Sequence, residues 1–278
     1  MTDTRFRIST MTQVGSITSH VLLERLFQEC PLTADIPYLK YGDQDRGTSS
    51  KKTQKVSKPV NDTRKHYFFN QVTLHVNVGK FINLKIFNNG GIQMTGLKEM
   101  TQGPAAIAKV LAQLGTLTPA LQSEILYTSV GPPICESTRM VMINSDFDIG
   151  HRVDREKLHR EIIRQRYYSS YESAIYPGVN IKYYYNPAKQ QTGICNCEGP
   201  CDGKGSHGFC KKITIAVFKS GKIIITGGNS MVHIHTAYEF ITRFAKENPS
   251  IQDPAPLTCR GNDLVGRVFS IWVKSLSK

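Results

Sequence analysis

The sequence predicts an α+β protein in which one strand–hairpin–helix unit occurs twice. Apolar residues alternate through Ile213–Val217, the polar residues of Lys219–Lys222 interrupt the run, and alternation resumes at Ile223 and Ile225. A period of two on either side of a glycine-containing turn is typical of a half-buried β-hairpin.

A second copy of this hairpin lies 131 residues earlier, in Leu84–Gly96, and the two align without a gap. The matched pairs are Phe87 with Phe218, Gly90 with Gly221, Ile92 with Ile223, and Thr95 with Thr226. Both copies run into stretches with helical spacing, Pro104–Leu114 and Val232–Ala245. The chain is therefore interpreted as an internal duplication.

The remaining elements are expected in the same order in both copies. In the first copy, Ile8–Ile17 is predicted to be a strand, Ser19–Glu29 an amphipathic helix and Ile36–Tyr41 a short strand. Polar residues then predominate from Gly42 to Lys65, and such a composition favours a mobile loop. The strands resume within Tyr67–Gly96.

In the second copy, Arg139–Phe147 is predicted to be the first strand and Ile175–Tyr185 a later one. Between them, Asp154 is expected to cap a helix. The apolar stripe of that helix would consist of Leu158, Ile162 and Ile163.

One face of the second hairpin carries no charge, although a sheet with one solvated face would carry charged residues there. That face consists of Thr214, Ala216, Phe218, Ile224 and Thr226. Two interpretations stay open: another part of the chain covers this face, or it is an apolar surface for a partner.

The repeated pattern resembles the TATA-box-binding protein family. It reads Ile/Val-Phe-x-x-Gly-x-Ile-x-x-Thr-Gly and is followed by a helix each time. Glu172–Val179, ESAIYPGV, is similar to the Glu-x-x-Leu-Phe-Pro-Gly-Leu of the family, and the whole pattern most resembles divergent forms in large nucleocytoplasmic DNA viruses. The resemblance covers about 200 residues, more specifically in the second copy than in the first.

This resemblance implies a pseudo-symmetric saddle, a curved antiparallel sheet with helices on its convex face. The implied boundaries are repeat 1 over 5–114 with the polar mobile loop at 42–65, a linker over 115–137 with the turn Gly131-Pro132-Pro133, repeat 2 over 138–248 with a cysteine-rich insertion at 186–211, and a C-terminal extension over 249–278 containing Trp272.

The function implied is a transcription initiation factor that binds promoter DNA through the minor groove and bends it. Strand parity supports this, because Phe87 and Phe218 point away from the apolar face that helices must cover; the alternative for each is a core phenylalanine. The implied DNA-binding residues are Phe87, Thr95, Lys98, Asn144, Tyr176, Pro177, Lys182, Ala216, Phe218, Ile224 and Thr226.

Several of these positions keep an alternative. Lys98 and Lys182 are either phosphate contacts or solvated lysines, Tyr176 is either a wedge or an aromatic beside a turn, and Asn144 is either a groove contact or a strand-end cap. The wedge partner of repeat 1 is expected near Ile36–Tyr38, without a residue assignment.

Repeat 1 also departs from the family pattern. Lys85 and Gln93 make its predicted DNA-facing surface more polar, so a strict TATA preference does not follow.

Four cysteines, Cys195, Cys197, Cys201 and Cys210, fall within 16 residues. Four thiolates can close a tetrahedral zinc site, although the Cys-x-Cys spacing is tighter than usual. We expect one structural zinc ion; the alternatives are a reduced loop without metal or a disulfide.

Composition bounds the partners and the compartment. The net charge of +13 over 278 residues, with a pI near 9.4, suits a polyanion. No run of 18 apolar residues and no apolar signal core occurs, so a membrane span is not expected. Seven cysteines, four of them clustered, indicate a reducing intracellular compartment; the nucleus or a cytoplasmic viral factory is expected, with packaging in the virion as an alternative.

No phosphate-binding loop, nucleophile elbow or HExxH motif occurs, so a non-enzymatic role is expected. The implied partners are A·T-rich double-stranded DNA, a factor resembling TFIIB and an RNA polymerase. Two other function classes stay open: a glycosylase-like enzyme on the same saddle, and a zinc-stapled adaptor that binds protein.

Overall fold

The fold is organised around one antiparallel sheet of eleven strands. The computed structural model describes residues 6–49, 68–128, 134–204 and 207–254. The strands are β1 (Arg7–Ile17), β2 (Tyr38–Tyr41), β3 (Gln44–Gly47), β4 (Gln71–Asn77), β5 (Phe81–Phe87), β6 (Gly91–Leu97), β7 (Cys135–Asp148), β8 (Tyr168–Ser170), β9 (Val179–Tyr185), β10 (Lys211–Val217) and β11 (Lys222–Gly228). The helices are α1 (Leu23–Glu29), α2 (Gln102–Leu114), α3 (Pro119–Ile125), α4 (Arg155–Arg164) and α5 (Met231–Glu247), followed by a 3-10 turn, Pro249–Ile251.

The order of strands across the sheet is symmetric about its centre. It runs β3-β2-β4-β5-β6-β1-β7-β11-β10-β9-β8, so β1 and β7 pair at the middle and each is followed outward by the strands of its own repeat. Only β3 lacks a counterpart among the described strands. The sheet is curved and does not close, and the predicted α+β class is confirmed.

Both predicted hairpins form. β5 pairs with β6 and β10 pairs with β11 in antiparallel register. Gly90 and Gly221 take φ angles of 79° and 92° in the turns, a conformation that glycine adopts without the steric cost of a side chain.

Helices α1, α2, α4 and α5 pack through apolar residues onto one face of the sheet, and the short α3 lies against α1. Ile107 and Val110 of α2, and Phe240 and Phe244 of α5, join the strand residues of that face in one continuous core. Asp154 caps α4 as predicted, since its carboxylate accepts a hydrogen bond from Lys157 N at 3.1 Å. Ile163 was wrongly included in the stripe of α4: it is 49% exposed, because α4 contacts the core through Leu158 and Ile162.

We call the other face of the sheet, whose side chains do not belong to this core, the open face. Alternation puts every second strand residue there, among them Phe87, Thr95, Lys182 and Thr226. The helix residues that form the core are absent from the small apolar cluster on this face, which consists of Ala216, Phe218, Ile224 and Tyr176.

Some predicted bounds were wrong. Residues 44–47 of the expected loop form β3, paired with β2, while 50–65 lie outside the described residues. Residues 175–178 do not belong to a strand, since β9 begins at Val179. Within the expected linker, Thr118 and Pro119 begin the short helix α3, and β7 starts at Cys135. The Gly131-Pro132-Pro133 turn and Trp272 lie outside the described residues.

The cap of α4 yields a stability prediction. Asp154→Ala should lower the free energy of unfolding by about 1 kcal/mol at pH 7, because the capped backbone N–H loses its acceptor. The hydrogen bond from the Lys157 backbone N–H is the main reason why the pKa of the Asp154 carboxyl lies below its ordinary value. This contribution is therefore complete above the ordinary pKa of an aspartate and is lost as the pH falls through the depressed value.

Urea denaturation of wild type and variant from pH 7 down to pH 3 measures this difference. Glu156→Ala is the control, because it removes an exposed acid of the same helical turn; its effect should stay below about 0.5 kcal/mol. Equal urea midpoints for Asp154→Ala and wild type at pH 7 would contradict the assignment of the cap.

Candidate nucleic-acid interface and cysteine cluster

Phe218 directly follows β10 on the open face, and its ring contacts that of Tyr176. The two ring centroids are 5.8 Å apart, with the planes inclined by 61°. Gly178 lies beneath both rings: a Cβ there would come within 2.8 Å of the Tyr176 ring and 3.2 Å of the Phe218 ring. The glycine of the ESAIYPGV segment thus permits the two aromatic side chains to pack together.

Arg155 of α4 fixes the segment that carries Tyr176 and Pro177. Its Nη1 donates a hydrogen bond to the Pro177 carbonyl oxygen at 2.5 Å, and its guanidinium lies over the Tyr171 ring at 5.3 Å. The floor below Phe218 is Ala216 of β10 and Ile224 of β11, which lie directly opposite each other. Phe218 is only 4% exposed because these neighbours, and not a helix, surround it.

Phe87 occupies the equivalent position at the end of β5, and it is half-buried. It lies opposite Gln71 and beside a cavity of about 460 Å³ that Val14, Asn70 and Gln93 also line. The two phenylalanines are therefore related by the symmetry of the sheet.

No residue of repeat 1 was assigned from the sequence to the position that Tyr176 occupies in repeat 2, and the structure supplies a candidate. Lys85 corresponds to Ala216, so their partners on the neighbouring strands, Thr73 and Asn180, also correspond to each other. Phe69 precedes Thr73 by four residues and Tyr176 precedes Asn180 by four, which makes Phe69 the counterpart of Tyr176. Phe69 is 59% exposed, and its ring contacts Tyr41 at 5.7 Å.

The expectation of a wedge near Ile36–Tyr38 stays a prediction for Tyr38 alone, because pairing through His75 and Asn83 to Thr95 places Tyr38 on the open face. Ile36 is fully buried in the core, whereas Tyr38 lies outside it and packs on His75 with ring centroids 4.6 Å apart. The offset between the repeats is 107 residues at Phe69 but 131 at Phe87, since the cysteine-rich insertion intervenes. The dipeptide Phe68-Phe69 just before an alternating run was the available signal.

The centre of the open face is formed by short polar side chains. Thr95 lies between Thr12 and Asn83, and Thr226 lies opposite Thr214. Asn144 lies opposite Thr10 at the junction of the repeats and is 1% exposed. Its amide oxygen has no hydrogen-bond partner among the described residues.

Both lysines expected near phosphates have protein partners. Lys98 is exposed, and its Nζ donates to the carbonyl oxygens of Ile8 and Ser9 at 2.7 and 2.6 Å. Lys182 is half-buried on the open face and donates to Thr214 Oγ1 at 2.9 Å. Burial, and then the charge of Lys212, lower the pKa of the Lys182 ammonium.

The four clustered cysteines meet in the loop between β9 and β10. Their Sγ atoms all lie within 4.8 Å of one another; Cys197 Sγ is 3.4 Å and Cys195 Sγ 3.7 Å from Cys210 Sγ. A tetrahedral zinc site with Zn–S bonds of about 2.3 Å has sulfur–sulfur edges of about 3.8 Å, so the donor set fits this metal.

The loop also supplies a hydrogen bond to one sulfur atom. Phe209 N donates to Cys197 Sγ at 3.4 Å, and this bond is the main reason why the pKa of the Cys197 thiol falls to about 7. His207 is exposed, and the four-cysteine group does not include it. The loop returns to the sheet where Lys212 N donates to Gly203 O at 2.8 Å.

Three comparisons bear on this arrangement. The family model described as "Transcription factor TFIID (or TATA-binding protein, TBP)" matches residues 138–247. A "TATA-box-binding protein-like" protein of Acanthamoeba polyphaga mimivirus is 28% identical over 250 residues, which are 87% of this chain and 65% of that relative. The chain thus spans about 65% of the length of the viral relative.

A solved structure, Methanococcus jannaschii TBP, superimposes with a TM-score of 0.51 at 18% identity over 87% of this chain and 99% of that one. This likeness shows the fold alone. Among the described residues, every helix is too short or too polar to cross a membrane. The family model over the second repeat, the viral relative and the shared fold together support a divergent TBP-like family.

Proposed function

We propose that the chain is a DNA-binding transcription factor that binds the minor groove of A·T-rich promoter DNA with its open face and bends the duplex. The observation that carries the proposal is the apolar cluster around Phe218 and Tyr176, which lies on the face opposite the helices and apart from the core. Within this cluster the rings of Phe218 and Tyr176, and no helix, close over Ala216 and Ile224, so the two aromatic rings are what this part of the open face presents to a partner.

The chemistry of the minor groove suits this surface. The groove offers few donors and acceptors, so a broad and mostly uncharged face can displace water from it. Unstacking a base step costs a few kcal/mol, which a bulky side chain in the gap offsets; TATA-box-binding proteins are themselves the standard example. In this proposal Phe218 with Tyr176 forms one wedge, and Phe87 with Phe69 forms the other.

The other predicted contacts belong to the same proposal. Thr95, Thr226 and Asn144 would lie over the centre of the bound groove, with Pro177, Ala216 and Ile224 beside the second wedge. Lys98 and Lys182 would contact phosphates in addition to their protein acceptors. The net charge of +13 favours association with any nucleic acid.

The bent complex would act as a non-enzymatic platform for a TFIIB-like factor and an RNA polymerase. This part rests on the family, and the viral relative favours a nucleus or a viral factory as the compartment. The chain spans 65% of the length of that relative, so these partners are proposed for this chain and do not follow from the comparison.

Inosine substitution provides a direct test of groove choice. An I·C pair presents the minor-groove acceptors of A·T without the guanine amino group, and the major-groove pattern of G·C. We expect the A·T-rich duplex and its I·C counterpart to bind within about threefold in gel shifts, with the G·C counterpart at least about tenfold weaker. Energy transfer between labelled duplex ends measures bending, and an unbent complex would contradict that part of the proposal.

The wedges yield a prediction. Phe218→Ala and Phe87→Ala should each weaken binding to the A·T-rich duplex by about tenfold or more and reduce the bend, because an unstacked step loses its filler. Tyr127→Ala is the control: it truncates another exposed aromatic, which lies after α3 and contacts His20, and should leave binding unchanged. Circular dichroism establishes that each variant is folded.

The competing functions give different results in the same assays. Release of a free base from the duplex would support the glycosylase-like enzyme. A folded wild-type protein that binds no duplex would support the adaptor that binds protein.

We also propose that Cys195, Cys197, Cys201 and Cys210 hold one structural zinc ion. The clustering of four thiols at distances that suit tetrahedral coordination supports this. The ion would order the long connection between β9 and β10, since metal binding contributes to the folding of such loops.

Elemental analysis of purified protein should find about one zinc per chain. Cys197→Ser should lose most of it, because serine is a poor ligand for zinc. Cys135→Ser should retain it, since Cys135 lies in β7 outside the cluster. Wild-type protein without zinc after purification in zinc-containing medium would refute the proposal.

A further inference from the structure

The two halves of the open face differ at one symmetry-related pair of positions. Lys85 of β5 lies directly opposite Gln93 of β6. The residues 131 positions later, Ala216 and Ile224, lie directly opposite each other in β10 and β11. Both pairs share a face with a phenylalanine two residues further along the chain: Phe87, which ends β5, and Phe218, which directly follows β10.

The polar pair in repeat 1 is available to a ligand. Among the described residues, neither Lys85 nor Gln93 has an ion-pair or side-chain hydrogen-bond partner in the protein. Lys85 is half-buried between Gln93 and Thr73, and burial lowers the pKa of its ammonium. The apolar pair in repeat 2 lies under Phe218, with Ala216 3% and Ile224 7% exposed, and would contact a base pair once Phe218 inserts between base steps as proposed above.

The polar pair of repeat 1 and the apolar pair of repeat 2 suit different base pairs. An A·T pair presents only acceptors in the minor groove, whereas a G·C pair adds the amino group of guanine as a donor. Over Ala216 and Ile224 that donor would lose its water without gaining an acceptor, which is unfavourable. Over repeat 1, the amide oxygen of Gln93 can accept from it, while Lys85 donates to the O2 and N3 acceptors of neighbouring pairs.

We propose that Lys85 and Gln93 admit a G·C base pair in the half of the site beneath repeat 1, while Ala216 and Ile224 exclude it beneath repeat 2. The chain would thereby select duplexes of unequal composition and bind them in one orientation. This inference rests on the proposed minor-groove function and adds the determinant of its specificity.

Palindromic duplexes make the difference measurable without knowledge of the natural site. A series of palindromic A·T duplexes is made, each with one G·C pair at a different position of one half. Because the protein can bind a palindrome in either orientation, the half that contains the G·C pair can be placed beneath repeat 1. We expect the best single-G·C duplex to bind within about threefold of the A·T parent. With G·C at the same position in both halves, binding should fall by at least about tenfold, and I·C at both should restore it.

The double variant Lys85→Ala with Gln93→Ile gives repeat 1 the same two residue types that repeat 2 has at Ala216 and Ile224. Loss of the Lys85 donor weakens binding to the A·T parent as well, so the readout is the ratio of affinities: a single G·C pair at that position should cost the variant about tenfold relative to its own A·T parent, against about threefold or less for wild type. Lys109→Ala with Gln122→Ile is the matched control, because these two residues lie on the helices of the opposite face and should leave the wild-type pattern unchanged.

The possible results separate this inference from the function on which it rests. If wild type binds the A·T and I·C duplexes but a single G·C pair already costs tenfold at every position, the inference is overturned and the function stands. The same holds if the double variant keeps the wild-type pattern. If no duplex is bound through the minor groove, the proposed function falls, and the inference falls with it.

Discussion

The pairing of β1 with β7 is the interaction on which the rest of the structure depends. The two strands run antiparallel from Arg7 opposite Asp146 to Ile17 opposite Cys135, with three irregularities in the register. Without this pairing each repeat would end in an edge strand with unsatisfied backbone groups. With it, two half-sheets become one, and the open faces of both repeats form a continuous surface.

The register of the strands also determines which side chains can reach a ligand. Side chains of a strand alternate between its faces, so a slip of one residue would turn Phe218 into the core and Val217 onto the open face. The helices prevent such a slip, because their apolar residues pack against only one of the two sets. The core thus determines, from the opposite side of the sheet, which residues are available to a ligand.

The sequence was sufficient to predict the symmetric part of the fold. Strand parity in the two hairpins, read together with the repeat, located the core face and left Phe87 and Phe218 on the other. Phe69 was missed because the register of β4 with β5, which identifies it, depends on pairing between strands and not on a constant offset. β3 and α3 were missed because four- and seven-residue elements carry too little periodicity, and the meeting of four sulfur atoms depends on how the loop folds back.

The connection between β9 and β10 differs from its counterpart in length but not in what it joins. Repeat 1 links β4 to β5 through residues 78–80, whereas repeat 2 uses residues 186–210 for the same task. The paired strands on either side keep their registers in both cases. In this chain, that end of the strand pair therefore carries 25 connecting residues where repeat 1 has three, while the surface at the far end keeps its register.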